Sequence, residues 1–419
     1  MNFEETPRAR DLRERISEFF SAKILPRHRE WHHSVVELGK PPAFLEPLRK
    51  EARKQGLWNL ALNDPAHMDG REPYSNVEFA PACEIMGRLP WASQVFNCHA
   101  PELPNMLLLE QAGNLEQKAR WLKPLTEGTM RSAFALTEPD FASSDATNVG
   151  TRIDREGDTY RINGRKWFIT GAAHPDCRFV VVVGRSHPDN PRTSQHTAVI
   201  VPMDTPGVRV VRPLRFMGWE DHVAPVGELE FVDVRVPVEN RIGEEGFGFQ
   251  GSQARLGPAR LHHCMRLLGQ AEVMVEMMMA RARERSTFGR RLVEYDTIQR
   301  WIAESRVEIE LSRTILMKTA WEIDQAGHKG SWRSVSISKV AVPQAVQRIA
   351  DKAIQVFGAM GGSDDILAHH ALAYARILRI GDGPDEVHLR QLFRTEDVPS
   401  WPVADCPYVV GPSARPIEA

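Results

Sequence analysis

The apolar pattern of this 419-residue chain changes period twice, and that alternation restricts the fold more than any single motif. Up to about residue 130 the spacing is helical. Leu12, Ile16, Phe19 and Phe20 share one face, and Phe44, Leu48 and Ala52 share another before Gly56. A further apolar stripe runs over 105–125 and ends near Pro124. From Arg131 to about Asn240 the chain reads as strands. Tyr160 and Ile162 lead into Asn163-Gly164, a hairpin-turn dipeptide, followed by a second strand over 166–170. Residues 179–183, 197–201 and 208–211 form short apolar runs, and 227–236 alternates cleanly. Short strands at short intervals, with no helices between them, imply an antiparallel β module and not βαβ units.

After Gly243 the helical period returns. Leu261, Met265 and Leu268 open a long helix that continues through Met277–Met279, where the methionines read as core packing. Ile302, Ile309, Leu316 and Ile323 lie seven apart, the spacing of a long helix packed nearly parallel to its neighbours. A third helix covers 335–357, with Pro343 expected as a first-turn or kink residue. The expected division is an N-terminal helical domain (1–130), a middle β domain (131–241), a C-terminal helical bundle (242–395) and an irregular tail (396–419).

A net charge of −2 leaves no electrostatic footprint for nucleic acid or an anionic membrane. Five scattered cysteines, an odd number, argue against a disulfide framework and a zinc ribbon. The charged start lacks an apolar signal region, and no window approaches the ~20 apolar residues of a membrane span. These features together imply a reducing, cytoplasmic setting.

Several motifs could carry chemistry. Gly246-Phe247-Gly248-Phe249-Gln250-Gly251 has the glycine spacing of a dinucleotide fingerprint, but no parallel strand precedes it and Glu272 falls inside the next helix. It reads as a turn into a helix. The pairs His32-His33, His262-His263 and His369-His370 cannot clamp a metal, since adjacent helical residues point about 100° apart. The segment 134–145 ends an apolar strand in Thr137-Glu138-Pro139 and continues into a small-residue loop. Its backbone N–H groups can approach a ligand's phosphates or ring atoms closely; taken alone, a β-turn is the better account. Arg285-Ser286-Thr287-Phe288-Gly289 interrupts two long helices. It reads either as an arginine and an aromatic ring for a pyrophosphate and an adenine, or as a helix–helix turn capped by Gly289. Gly381-Asp382-Gly383-Pro384 follows an apolar run and leaves a short carboxylate at a sharp break. Asp382 reads as a catalytic base; the local alternative is a helix N-cap by Asp382 or Asp385.

Thr137-Glu138-Pro139 with Ser144-Asp145, residues 167–171 (Trp-Phe-Ile-Thr-Gly), the Arg285–Gly289 segment, Gln355-Val356-Phe357-Gly358 and the Asp382 turn resemble, in order and spacing, the acyl-CoA dehydrogenase family over about residues 10–395. Residues 255–266 and 381–388 are most similar to the branch of family members ten and eleven. The resemblance implies an α+β, mostly α fold: an N-terminal helical domain, an antiparallel β-barrel-like middle domain and a C-terminal four-helix bundle, with FAD between the last two. It implies that Phe134, Leu136, Thr137 and Ser143 grip the flavin, with Phe168 and Thr170 near the isoalloxazine. It implies that Arg285, Thr287, Phe288, Gln355 and Gly358 reach the FAD of a neighbouring subunit in a homodimer or homotetramer. Pro384, Asp385 and Glu386 stand at positions that contact the adenosine half, and Ser144, Arg260 and Gly383 at substrate-side positions. An electron-transfer flavoprotein is the implied electron acceptor.

The sequence departs from the family in places. Asp382 stands where most members have glutamate, and Ala259 stands where a second subgroup carries its base, so the base is Asp382 or is missing. The loop after Pro139 is one residue longer than usual, and Ala359 replaces a usual glycine. The implied reaction desaturates an acyl-CoA, moving the α-proton to Asp382 and the β-hydride to flavin N5. The implied acyl groups are long, branched or hydroxylated. Two alternatives stand beside it: a flavin oxidase similar to nitroalkane oxidase, and a catalytically silent homologue.

Overall fold

The structure, a computed structural model, describes residues 4–396 and 402–409, with the side chains of 253–258 outside the description. The expected tail therefore lies largely outside the described residues; within it, Val403–Asp405 forms a 3₁₀ turn. The N-terminal helices include α1 (Pro7–Phe19), α2 (Leu45–Lys54), α3 (Asn76–Gly87) and α4 (Glu102–Ala112). Thr6 starts α1 by accepting the Ala9 N–H, with Pro7 at the first helical position where no N–H is needed. Ser75 and Glu78 form a reciprocal capping box on α3.

Eight strands follow: β1 (Arg131–Ala135), β2 (Arg152–Glu156), β3 (Thr159–Ile169), β4 (Cys177–Arg185), β5 (His196–Pro202), β6 (Val208–Leu214), β7 (Val226–Pro237) and β8 (Arg241–Ile242). They form one sheet in the order β6-β7-β3-β2-β4-β5-β8, with β1 joined to β4 in parallel and the long ladders antiparallel. β4 is apolar at successive positions because both of its faces are covered. Val180 and Val182 pack with Tyr160, Ile162 and Leu229, whereas Phe179 and Val181 pack with Leu103, Met106 and Trp121 from the helices.

The helical bundle comprises α5 (Gly248–Glu284), α6 (Asp296–Gly330), α7 (Trp332–Phe357), α8 (Ala368–Leu378) and α9 (Asp385–Arg394). Ile309, Leu316 and Ile323 face its core from α6, and Met274 and Met278 from α5. The Arg260 guanidinium, partway along α5, lies over the Trp332 ring at the start of α7, and Arg281 near the end of α5 lies over Phe357 at the end of α7. The two helices therefore run parallel.

Three local expectations are corrected. Asn163-Gly164 makes no hairpin turn: β3 runs straight through it, with a register shift against β7. A Cβ at Gly164 would stand 2.5 Å from Thr151 Oγ1, so the glycine serves close strand approach. The turn lies earlier, at Gly157-Asp158 between β2 and β3. Pro343 sits well inside α7 and is buried; the apolar face of Val342, Val346 and Ile349 holds the helix through the lost hydrogen bond. Gly289 caps no helix. Ser286–Thr287 (β9) and Arg290–Arg291 (β10) form a two-residue hairpin with Phe288 at φ +48° and Gly289 at φ +82°.

The N-terminal helices are fastened to the bundle. Asp324 of α6 accepts the backbone N–H groups of Asn76 and Val77 at 2.8 and 3.0 Å, at the start of α3. Gly87 of α3 and Gly269 of α5 bring the two backbones together: a Cβ at Gly269 would stand 2.0 Å from the Glu84 carbonyl oxygen, and one at Gly87 2.1 Å from that of Arg266. Gly269→Ala is expected to destabilise the fold by about 1–3 kcal/mol through overpacking, read as a lower urea midpoint. An unchanged midpoint would contradict the close crossing.

Candidate active-site cleft

A cleft of about 1090 Å³ opens between the sheet, the bundle and the α3–α4 segment. Ordinary small-molecule pockets hold ~300–1,000 Å³, so this one stands just above the upper end of that range. Phe134, Leu136, Thr137, Ser143, Ser144, Phe168, Thr170, Arg260, Asp382, Gly383 and Pro384 all line it, which brings together residues more than two hundred positions apart.

On the bundle side, α8 ends and the chain turns through 379–384 into α9. The N–H groups of Ile380 and Gly381 both donate to the Ile377 carbonyl at 2.8 Å. Asp382 then takes φ +57° and Gly383 φ +105°, a conformation that an aspartate keeps only when its surroundings hold it. Two buried cations do so. Arg260 Nε donates to the Asp382 carbonyl at 2.8 Å, and Lys339 Nζ donates to the carbonyls of Leu378 and Gly383. Burial lowers the Lys339 ammonium below its ordinary range. The Asp382 carboxylate is half-buried, with Oδ2 3.7 Å from His263 Nε2.

Arg260, expected on the substrate side, lines the cleft while its Nε is committed to the turn and its guanidinium to the Trp332 ring at 4.9 Å. Asp385 is the first residue of α9, behind Pro384 at the cap position. Its carboxylate is buried and turned away from the cleft, accepting from Arg379 Nε at 2.8 Å and Gln344 Nε2 at 3.0 Å. Neither local capping alternative for Asp382 is realised.

On the sheet side, Lys166 of β3 is fully buried and donates to the Leu136 carbonyl (2.9 Å), the Val183 carbonyl (2.7 Å) and Glu138 Oε1 (2.7 Å). Glu138 also accepts from the backbone N–H groups of Gly150 and Thr151. Burial pushes the Lys166 ammonium down to about 8 although Glu138 pulls it up. Burial works to raise the Glu138 carboxyl, but Lys166 and the Gly150 N–H outweigh it and hold the group below its usual range. The Thr137-Glu138-Pro139 loop is thereby tied to β3 and β4. Ser143 Oγ accepts the Glu138 N–H at 3.0 Å and donates to the Phe141 carbonyl, so its hydroxyl shapes the loop. Phe168, at φ +51°, stacks on Phe216 at the cleft wall.

Arg285, Thr287, Phe288, Gln355 and Gly358 lie elsewhere. They gather at the far end of α5 and α7, near the Arg281–Phe357 contact. That contact is 21 residues along α5 from Arg260, roughly 30 Å at 1.5 Å per residue. Phe288 at the hairpin tip is 95% exposed, a large apolar side chain with no cover from its own chain. Glu386 is exposed and lies outside the cleft lining.

The sequence reading missed Lys339, Lys166, Trp332, Tyr374 and His263. The histidine pair at 262–263 was the available signal: one ring, His262, packs edge-on against Phe79 in the core, and the other faces the cleft. Among the described residues, no group of three or more His, Cys, Asp or Glu side chains is placed to hold a metal, and no helix is long and apolar enough to cross a membrane.

Comparison with known proteins matches consecutive stretches of the chain to three family models: the acyl-CoA dehydrogenase N-terminal domain over 6–129, the middle domain over 133–234 and the C-terminal domain over 246–396. Mouse acyl-CoA dehydrogenase family member 10 is 44% identical over 389 residues, 91% of this chain, which spans only 36% of that relative's length. The probable acyl-CoA dehydrogenase FadE2 of Mycobacterium tuberculosis is 42% identical over 401 residues, 94% of this chain and 97% of its own. The solved structure of butyryl-CoA dehydrogenase from Megasphaera elsdenii aligns with a TM-score of 0.79 at 26% identity, over 94% of this chain and 99% of that one.

Buried histidines make this fold sensitive to acid. Burial pushes His262 and His370 down to about 3, and His28, His196 and His388 down to about 4. In the unfolded chain a histidine takes up its proton near 6.5. Between about pH 6.5 and 4 the unfolded state therefore binds more protons than the folded one, and stability falls as pH falls through that window. The urea midpoint is expected to drop steadily from pH 6.5 to 4.5; a flat midpoint there would show these rings are not held neutral.

Proposed function

The chain belongs to the acyl-CoA dehydrogenase family, and on that premise we propose that it is an FAD-dependent enzyme that desaturates an acyl-CoA thioester between its α and β carbons. The observation that carries the reading is the Asp382 carboxylate, held at positive φ on the bundle wall of a cleft whose opposite wall bears Leu136, Thr137, Phe168 and Thr170.

The residues present fit FAD. The cleft lies at the large end for a ligand site, and its sheet wall offers hydroxyls, backbone edges and a flat aromatic surface in one place. Phe134, Leu136, Thr137, Ser143, Phe168 and Thr170 would hold the flavin, the Ser143 hydroxyl by shaping the loop, and Pro384 would meet the adenosine half. Bound there, FAD supplies the acceptor for the two electrons that leave the β-carbon.

The chain's own part is to orient the thioester and take its α-proton. Asp382 accepts that proton, and Arg260 and Lys339 hold its backbone so that the carboxylate stays on the cleft side. Gly383 lets the turn pass close to His388, where a Cβ would stand 2.9 Å from Nε2. Ser144 at the rim is the proposed contact for the CoA portion. Along α5 the lining runs from Arg260 through His263 and Arg266 to Gln270, and Leu89, His370 and Tyr374 also line the cleft. That extended wall supports long, branched or hydroxylated acyl groups. The exposed Arg285–Gly289 hairpin supports a homodimer or homotetramer in which it and the end of α7, with Gln355 and Gly358, reach a neighbouring subunit's cofactor. An electron-transfer flavoprotein is the proposed reoxidant.

Two experiments test this. Asp382→Asn is expected to retain its FAD and to lose about 10³-fold in the rate at which acyl-CoAs bleach the flavin anaerobically; near-normal bleaching would remove Asp382 from the chemistry. Arg285→Ala with Phe288→Ala is expected to lower the FAD retained after gel filtration. Full retention would mean the hairpin serves no cofactor.

A further inference from the structure

His263 lies one turn of α5 beyond Arg260, on the cleft side, and the groups around its ring fix where its proton sits. Arg266 Nη2 stands 3.1 Å from His263 Nδ1, and the Tyr374 hydroxyl stands 2.8 Å from the same nitrogen. A guanidinium can only donate. Nδ1 must therefore present its lone pair, which leaves the ring proton on Nε2, the nitrogen that faces Asp382 Oδ2 at 3.7 Å. A doubly protonated ring would set an N–H against the Arg266 guanidinium, so Arg266 also keeps the imidazole neutral. The remaining gap to Asp382 is one that a small side-chain rotation closes, as is common in clefts before substrate enters.

We propose that His263 is a positioning residue for the base: its Nε2–H donates to the Asp382 carboxylate, oriented by Arg266 and Tyr374 behind it. This rests on Asp382 being the base. The donor stabilises the ionised carboxylate and points one of its oxygens, so Asp382 stays a base at lower pH than it otherwise would.

The other groups facing Asp382 do different work. On α5, Arg260 is bound to its carbonyl and Cys264 is buried with its thiol raised to about 12. On α7, Lys339 is bound to carbonyls of the turn. On α8, burial pushes the Tyr374 hydroxyl up to about 12, so it stays protonated, and it shares the one lone pair of His263 Nδ1 with Arg266. On α9, His388 packs against Gly383 and donates or accepts through Nδ1 at Ser336 Oγ, 3.2 Å away. Behind the turn, the Asp385 carboxylate is paired with Arg379. Arg260 and Lys339 pull on the carboxylate through space whether or not His263 is present, so replacing His263 isolates its own contribution.

The test is the pH dependence of anaerobic flavin bleaching in a single turnover with one acyl-CoA, for the wild type, His263→Leu, His263→Gln and Asp382→Asn. For His263→Leu the acid limb is expected to move to higher pH, lowering the rate about tenfold on the acid side and leaving the alkaline plateau within a few-fold. FAD content and urea midpoint should stay close to wild type. His263→Gln, whose amide N–H reaches about as far as Nε2, is expected to move the limb back toward wild type. An unshifted limb in both variants, or an equal loss at every pH, overturns the proposal. Asp382→Asn separates the two readings: if it bleaches normally, the base assignment fails and His263 falls with it. If it is silent while His263→Leu keeps the wild-type profile, only the positioning role fails.

Discussion

Two buried ammonium-bearing side chains, each surrounded by backbone carbonyls, hold the walls of the cleft in place. Lys339 takes the carbonyls of Leu378 and Gly383 on the bundle side, and Lys166 takes those of Leu136 and Val183 on the sheet side. Removing an ammonium from water is expensive unless its donors are all met. The carbonyls therefore cannot leave without stranding a charge, and the segments that carry them are fixed. Those segments are the ones that bear Asp382 and Thr137.

Neither clamp belongs to one element. Lys339 sits on α7, its partner Arg260 on α5, and the turn they hold lies between α8 and α9. Asp382 is held at positive φ by groups on both α5 and α7, so forming the bundle core and presenting the Asp382 carboxylate to the cleft go together. The sheet side works likewise: Lys166 on β3 reaches β4 and the loop after β1, with Glu138 closing the circuit to Gly150 and Thr151. The cleft is the gap left between two separately clamped walls, and His263, Arg266 and Tyr374 line its depth.

The coarse layout was legible because period and burial are coupled. A stripe at helical spacing can be buried only by a helix, and the alternating run of β7 only by a sheet with one covered face. Single turns were less legible. Asn163-Gly164 carries the composition of a hairpin, but the contact that decided its geometry is Thr151 on another strand. Pro343 was read as a first-turn or kink residue; it lies well past the first turn, and the packing of Val342, Val346 and Ile349 carries the helix on through it. Gly289 does stand in a tight turn, yet Phe288 beside it also takes positive φ, so the turn is a hairpin and not a helix cap. Of the acids near residue 382, Asp385 was as plausible a site residue as any by sequence, and Arg379 turned it inward.

What the amino-acid order determined alone was the sequence of element types, the interruption after α5, and an aspartate at a glycine-flanked break. These depend on neighbours a few residues away. What only the tertiary structure decided was which charged groups are spent inside the protein and which remain for a ligand. Lys166 and Lys339 look like ordinary surface cations in the sequence, and only long-range packing buries them against carbonyls; Arg260, expected on the substrate side, spends its Nε on the Asp382 carbonyl. Whether His263 or His262 meets the cleft likewise depends on how α5 is rotated against α3, and that is set by the close approach of Gly87 and Gly269.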